Sequence, residues 1–151
     1  MPMVYLNGEF VSAAEARVSV FDRGFLFGDA VYEVLRYFDG KPFAMDLHIQ
    51  RLHRTLGEVR LAHFRAEEII RLGDELLARN DLRDACVYWQ ITRGTGPGRS
   101  HLPPADLRPT VFGCADPTPP DAPTPVGAFA FRATPAGCGS CSLRFFRDTW
   151  G

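Results

Sequence analysis

Val31-Tyr32-Glu33-Val34-Leu35-Arg36-Tyr37-Phe38-Asp39-Gly40-Lys41-Pro42-Phe43-Ala44 decides the fold. Two β-prone runs meet at Asp39-Gly40, a pair that tolerates the positive φ a two-residue hairpin turn needs, so a β-hairpin is predicted. The same chemistry sits upstream, where Val4-Tyr5-Leu6 and Glu9-Phe10-Val11 flank Asn7-Gly8. Downstream the period changes. Ile49, Leu52, Leu56 and Val59 recur at three- and four-residue steps, which predicts a helix that Asp46 can cap, with Arg51 and Arg54 outside its apolar stripe. Ile69, Leu72, Leu76 and Leu77 predict a second amphipathic helix, with Glu67 and Glu68 in its first turn and Asn80 near its end. From Ala85 to Arg93, Val87, Trp89 and Ile91 alternate with Tyr88, Gln90 and Thr92, the pattern of a strand apolar on one face; Thr110 to Ala115 reads as another strand. Hairpins, then helices, then further strands make an α+β order: a mainly antiparallel sheet with two helices on one face, not a βαβ repeat.

Between the hairpins, Ser19-Val20-Phe21-Asp22-Arg23-Gly24-Phe25-Leu26-Phe27-Gly28-Asp29 is punctuated by glycine and too apolar for a plain solvent loop. Residues 94–104 read as a loop. Five prolines fall between residues 117 and 125 and end regular structure. The expected organisation is one domain over residues 1–116, a proline-rich linker over 117–126, and a separate tail over 127–151.

The chain has 151 residues, 46% hydrophobic and 23% charged, enough to bury a core without staples. Lys+Arg 17 against Asp+Glu 18 leaves a net charge of -1, which supplies no field for nucleic acid or an anionic membrane. The start has neither a basic leader nor a long apolar run, and no later stretch reaches membrane-spanning length, so a cytoplasmic location is expected. Cys86 and Cys114 lie in strand-like runs and read as small buried hydrophobes. Cys138-x-x-Cys141 has neither two further zinc ligands at useful spacing nor the strand and helix of a redox pair, and reads as chance; no metal site is expected.

Taken alone, the polar residues are ambiguous. Arg51 beside His48 and Arg54 is more often a solvated basic face than an anion site. Arg99-Ser100-His101, after three loop glycines, can grip a carboxylate through a guanidinium fork and an imidazole, or can be a surface turn. Gly94-Thr95-Gly96-Pro97-Gly98 is a poor phosphate loop, because no Gly-Lys-Ser/Thr and no helix start follows it.

In combination they are more specific. Tyr5 to Val11, Ser19 to Asp29, Val31-Tyr32-Glu33-Val34, His48-Ile49-Gln50-Arg51-Leu52, and Thr92-Arg93-Gly94 followed by Arg99-x-His101 together resemble the class IV, or fold-type IV, pyridoxal-phosphate-dependent aminotransferases. The resemblance covers residues 4–116 and is nearest to the D-amino-acid transaminases; branched-chain aminotransferases and aminodeoxychorismate lyases share the fold and are the alternatives within the family. It implies that Arg51 binds the cofactor phosphate and that Tyr32, Arg99 and His101 form a trap for the substrate carboxylate. It further implies a homodimer, with the arginine and histidine reaching into the neighbouring subunit's site, and an exchange of amino groups between a D-amino acid and a 2-oxo acid.

One element departs from the family pattern. The lysine that anchors the cofactor is expected after the linker, near residue 146, yet Lys41 is the chain's single lysine and sits beside a hairpin turn. An arginine cannot replace it, because it stays protonated. The expectation is an inactive N-terminal portion of a transaminase, its tail truncated or frame-shifted, with a non-catalytic dimerising or binding module as the competing reading.

Overall fold

The computed structural model describes residues 1–61 and 63–118. Nine elements follow in order: β1 (Met3–Leu6), β2 (Glu9–Ser12), α1 (Arg23–Phe27), β3 (Ala30–Phe38), β4 (Lys41–Pro42), α2 (Met45–Glu58), α3 (Glu68–Arg79), β5 (Ala85–Thr92) and β6 (Thr110–Pro117). The strands form one antiparallel sheet in the order β2-β1-β6-β5-β3-β4. Both predicted hairpins are present, and each turn uses the left-handed conformation its dipeptide was expected to tolerate: φ is 51° at Asn7, 105° at Gly8, 47° at Asp39 and 75° at Gly40.

The predicted α+β architecture is observed, with the long helices α2 and α3 packed on one face of the sheet. Three local readings change. A short helix, α1, occupies the apolar connection; the Asp22 carboxylate caps it by accepting from Gly24 N, and Gly28 closes it at φ 65°. The residue that opens α2 is Ala44, at φ 50° and without a side-chain cap, so Asp46 contributes only its charge to the first turn. Cys86 and Cys114 are half-buried on the open sheet face, outside the core.

Alternation explains the core. Val31, Leu35 and Tyr37 of β3 and Val87, Trp89 and Ile91 of β5 point inward and meet Leu52 and Leu56 of α2 and Ile69, Leu72, Leu76 and Leu77 of α3. Each buried aliphatic side chain contributes about 1.5–3 kcal/mol of transfer free energy. Register sets one row across the sheet: Glu33 pairs with Trp89, Trp89 with Gly113, and Gly113 with Tyr5. The indole fits because Gly113 has no side chain; a Cβ there would lie 2.3 Å from Trp89 Cζ3. Tyr5 closes the row edge-on, 5.7 Å from the indole centroid. Glu33 is the charged member of this inward row, and it needs partners.

Candidate functional site

A carboxylate on the core side of a sheet is stable only when its oxygens are satisfied by donors. Helix α2 crosses β3 there and supplies them. Arg51 donates from Nε to Glu33 Oε1 at 2.6 Å and from Nη2 to Oε2 at 2.5 Å, while His48 Nδ1 lies 2.9 Å from Oε2. His48 and Arg51 are three residues apart, so one helix face presents both. The Glu33 side chain is 2% exposed and that of Arg51 is 42% exposed: the anchor is dry and the cation reaches the surface.

The electrostatics follow from this geometry. Burial pushes the Glu33 carboxyl upward, but the donors and charges of Arg51 and His48 outweigh it and hold the group below its ordinary value. Arg51 is correspondingly raised, chiefly by its bond to Glu33. With Nε and part of Nη2 committed to Glu33, the rest of the guanidinium faces a shallow recess lined by Ala44, Leu47, His48, Gln50, Arg51 and Arg54. Two arginines and an imidazole suit an anion rich in oxygen acceptors.

Tyr32 neighbours Glu33 on β3 and therefore points to the opposite face. Its ring stacks on Tyr88 at 6.0 Å, and Tyr88 in turn lies 6.4 Å from Phe112, so an aromatic strip runs over the open side of the sheet. Arg99 and His101 lie elsewhere, on the loop that leaves β5. Both rest on Phe27 of α1, with the Arg99 guanidinium carbon 5.3 Å from the ring centroid and the His101 ring at 5.3 Å. Among the described residues, no hydrogen bond, ion pair or ring contact joins Tyr32 to Arg99 or His101: the phenol sits on the open sheet face, the other two on the loop against α1.

Sequence reasoning had missed Glu33, and with it the tie between β3 and α2. The signal was present: in the alternation Val31, Glu33, Leu35, Tyr37 one inward position is charged, and a buried carboxylate demands a cation nearby. Also missed was Asp29, which accepts at Oδ2 from Arg23 Nε and Arg93 Nε, both at 2.8 Å, and so joins the apolar connection to the end of β5. Burial raises this carboxyl, and the Arg93 and Arg23 donors more than reverse the effect. Lys41 is exposed on β4 and is not part of the recess around Arg51. Among the described residues no cluster of His, Cys, Asp and Glu could hold a metal, and no helix is long and apolar enough to cross a membrane. The expectations for the linker beyond residue 118 and for the tail, residues 127–151, lie outside the described residues.

Comparison with known proteins bears on the family and the fold. Residues 30–142 match the family described as amino-transferase class IV. D-alanine aminotransferase of Staphylococcus haemolyticus is 38% identical over 116 residues, 76% of this chain and 41% of that protein. Branched-chain amino acid aminotransferase from Escherichia coli superposes with a TM-score of 0.69 at 27% identity, over 78% of this chain and 41% of the other. The 4-amino-4-deoxychorismate lyase from Pseudomonas aeruginosa superposes with a TM-score of 0.63 at 26% identity, over 77% and 40%. The chain thus spans about two-fifths of the length of these relatives. With the match covering most of the sequence, the chain belongs to the class IV aminotransferase family.

Proposed function

We propose that this chain supplies the N-terminal half of a pyridoxal-phosphate site in a transaminase that moves an amino group between a D-amino acid and a 2-oxo acid. The observation that carries the reading is the Glu33-anchored guanidinium of Arg51, pinned on one side and open to an arginine- and histidine-lined recess on the other. The recess fits a phosphate group: its polar lining is dominated by N–H donors, and the one carboxylate beneath it is already engaged by Arg51 and His48. Arg51 would hold the phosphate, with His48 and Arg54 beside it. When bound, the cofactor supplies an electron sink for charge that develops at the substrate's Cα.

The remaining work of this chain is orientation. Tyr32, Arg99 and His101 would fix the substrate carboxylate through a phenol, a guanidinium fork and an imidazole, and so set which face of Cα is presented for proton transfer. Membership of the class IV family is the support for a homodimer in which the Arg99–His101 loop would serve the partner's site. The D-amino-acid assignment is supported by the likeness to D-alanine aminotransferase together with the Arg99-x-His101 pattern. A branched-chain substrate is the second reading, favoured by the structural likeness to the branched-chain enzyme. With Lys41 exposed and apart from the recess, no turnover is expected from this chain alone.

The test is calorimetric titration of the chain with pyridoxal phosphate and, in parallel, with pyridoxal. Pyridoxal phosphate is expected to bind about tenfold or more tightly, and Arg51→Met to abolish the difference. Equal affinities for the two compounds in the unsubstituted chain would refute the assignment.

A further inference from the structure

We propose that Arg23 and Phe27 of α1 are positioning residues for the Arg99–His101 loop; the functional meaning of this rests on the carboxylate-binding role given above to Arg99 and His101. Arg23 is 5% exposed and directs every part of its fork at a partner. Its Nε donates to Asp29 Oδ2 at 2.8 Å, Nη1 to the Ser100 carbonyl at 2.6 Å and Nη2 to the His101 carbonyl at 3.1 Å. Among the described residues, these two carbonyl contacts are the hydrogen bonds that tie residues 97–107 to the rest of the chain. The loop makes only short-range bonds of its own, from Ser100 N to the Gly98 carbonyl and from Ser100 Oγ to the Leu102 carbonyl.

The other end of the assembly is firm. Asp29 is shared with Arg93, whose Nη2 donates to the Val59 carbonyl at 2.7 Å beyond the end of α2. The Arg23 backbone N–H donates to the Gly94 carbonyl at 2.9 Å, and Asp22 holds the Thr92 hydroxyl at 2.9 Å. Arg23 is therefore fixed before it reaches the loop. Phe27, one turn along α1, provides the surface: the guanidinium carbon of Arg23 lies 4.6 Å from its centroid, and Arg99 and His101 lie on the same ring. Arg23 commits all three of its nitrogens to Asp29 and the two loop carbonyls, whereas the Arg99 guanidinium and the His101 imidazole are held through backbone and ring contacts that leave their N–H groups for a ligand. An ammonium could not replace this fork, because it cannot span Asp29 and two successive carbonyls.

The experiment uses the full chain, isotopically labelled, compared with Arg23→Met, Arg23→Lys and Phe27→Leu. Amide hydrogen exchange across residues 97–107, the His101 ring-proton shifts and a titration with sodium acetate are read by NMR, with β3 and β5 amides as the check on the fold. Arg23→Met is expected to speed loop exchange by about tenfold or more, to move His101 toward free-imidazole shifts by removing it from the Phe27 ring current, and to weaken acetate binding. Arg23→Lys is expected to show the same loss, and Phe27→Leu to move the His101 shifts while loop protection persists. Unchanged loop exchange in Arg23→Met, or full retention in Arg23→Lys, overturns the proposal. If Arg23→Met does not fold, Phe27→Leu decides: unmoved His101 shifts overturn it. Altered loop exchange with no acetate response from Arg99 or His101 in the unsubstituted chain upholds the positioning and counts against the carboxylate reading.

Discussion

Replacing Glu33 by glutamine tests the tie between β3 and Arg51 of α2, because the volume is conserved and only charge and donor pattern change. In the native arrangement the carboxylate accepts from Arg51 Nε, Arg51 Nη2 and His48. A glutamine amide keeps one accepting oxygen but turns an NH2 toward groups that are themselves donors. Hydrogen bonds to charged groups contribute about 1.5–3 kcal/mol each, and an unsatisfied buried donor costs about 1–3 kcal/mol. Because Arg51 is 42% exposed it can turn to water and recover part of this. The expected net loss is about 2–4 kcal/mol of folding stability at neutral pH. The pH dependence has a definite sign. The folded Glu33 carboxyl titrates below its ordinary value of 4.5, so its stabilisation is complete above that value and is lost as pH falls through the lower, folded value. Urea unfolding of both proteins from neutral to acid pH should show a constant gap that closes on the acid side. A gap under about 0.5 kcal/mol at neutral pH, or one that widens with acid, would refute the reasoning.

Gly113→Ala should lose about 1–3 kcal/mol or more, since the new Cβ would lie 2.3 Å from the ring of fully buried Trp89; urea midpoints and tryptophan fluorescence report it. Asp22→Ala removes the cap on Gly24 N and the acceptor for the Thr92 hydroxyl, and should cost about 1–3 kcal/mol by the same unfolding assay. Lys41→Met, at an exposed site on β4, should change stability by less than about 0.5 kcal/mol and leave pyridoxal phosphate affinity unaltered in the calorimetric titration.

The regular elements were legible because their signals are local. Asn7-Gly8 and Asp39-Gly40 announce turns that only a few residues tolerate, and the helical spacing of Leu52, Leu56, Leu72 and Leu76 survives any tertiary context. Helix α1 was not legible as a helix: five residues, Arg23–Phe27, are too few for a period to show, and the segment is stabilised by the Asp22 cap and by long-range ties from Arg23. Ala44 as the N-cap of α2 was hidden for a related reason, because its left-handed backbone after the hairpin sets the cap two residues before Asp46, the expected one. In the site, Arg51 was visible through its motif, but Glu33 was not, since its role depends on which face of β3 lies under α2. The placing of Tyr32 against Tyr88, and of Arg99 and His101 against Phe27, is likewise a property of the folded sheet and its loop, with no counterpart in sequence spacing.

The central claim is that Glu33 aims Arg51 at a phosphate. Determining the crystal structure of the chain grown with pyridoxal phosphate tests this most directly. The phosphate is expected within hydrogen-bond distance of the Arg51 guanidinium in the recess beside His48 and Arg54, with both Glu33–Arg51 bonds intact. A phosphate bound elsewhere, or an Arg51 that abandons Glu33 to reach it, would contradict the claim.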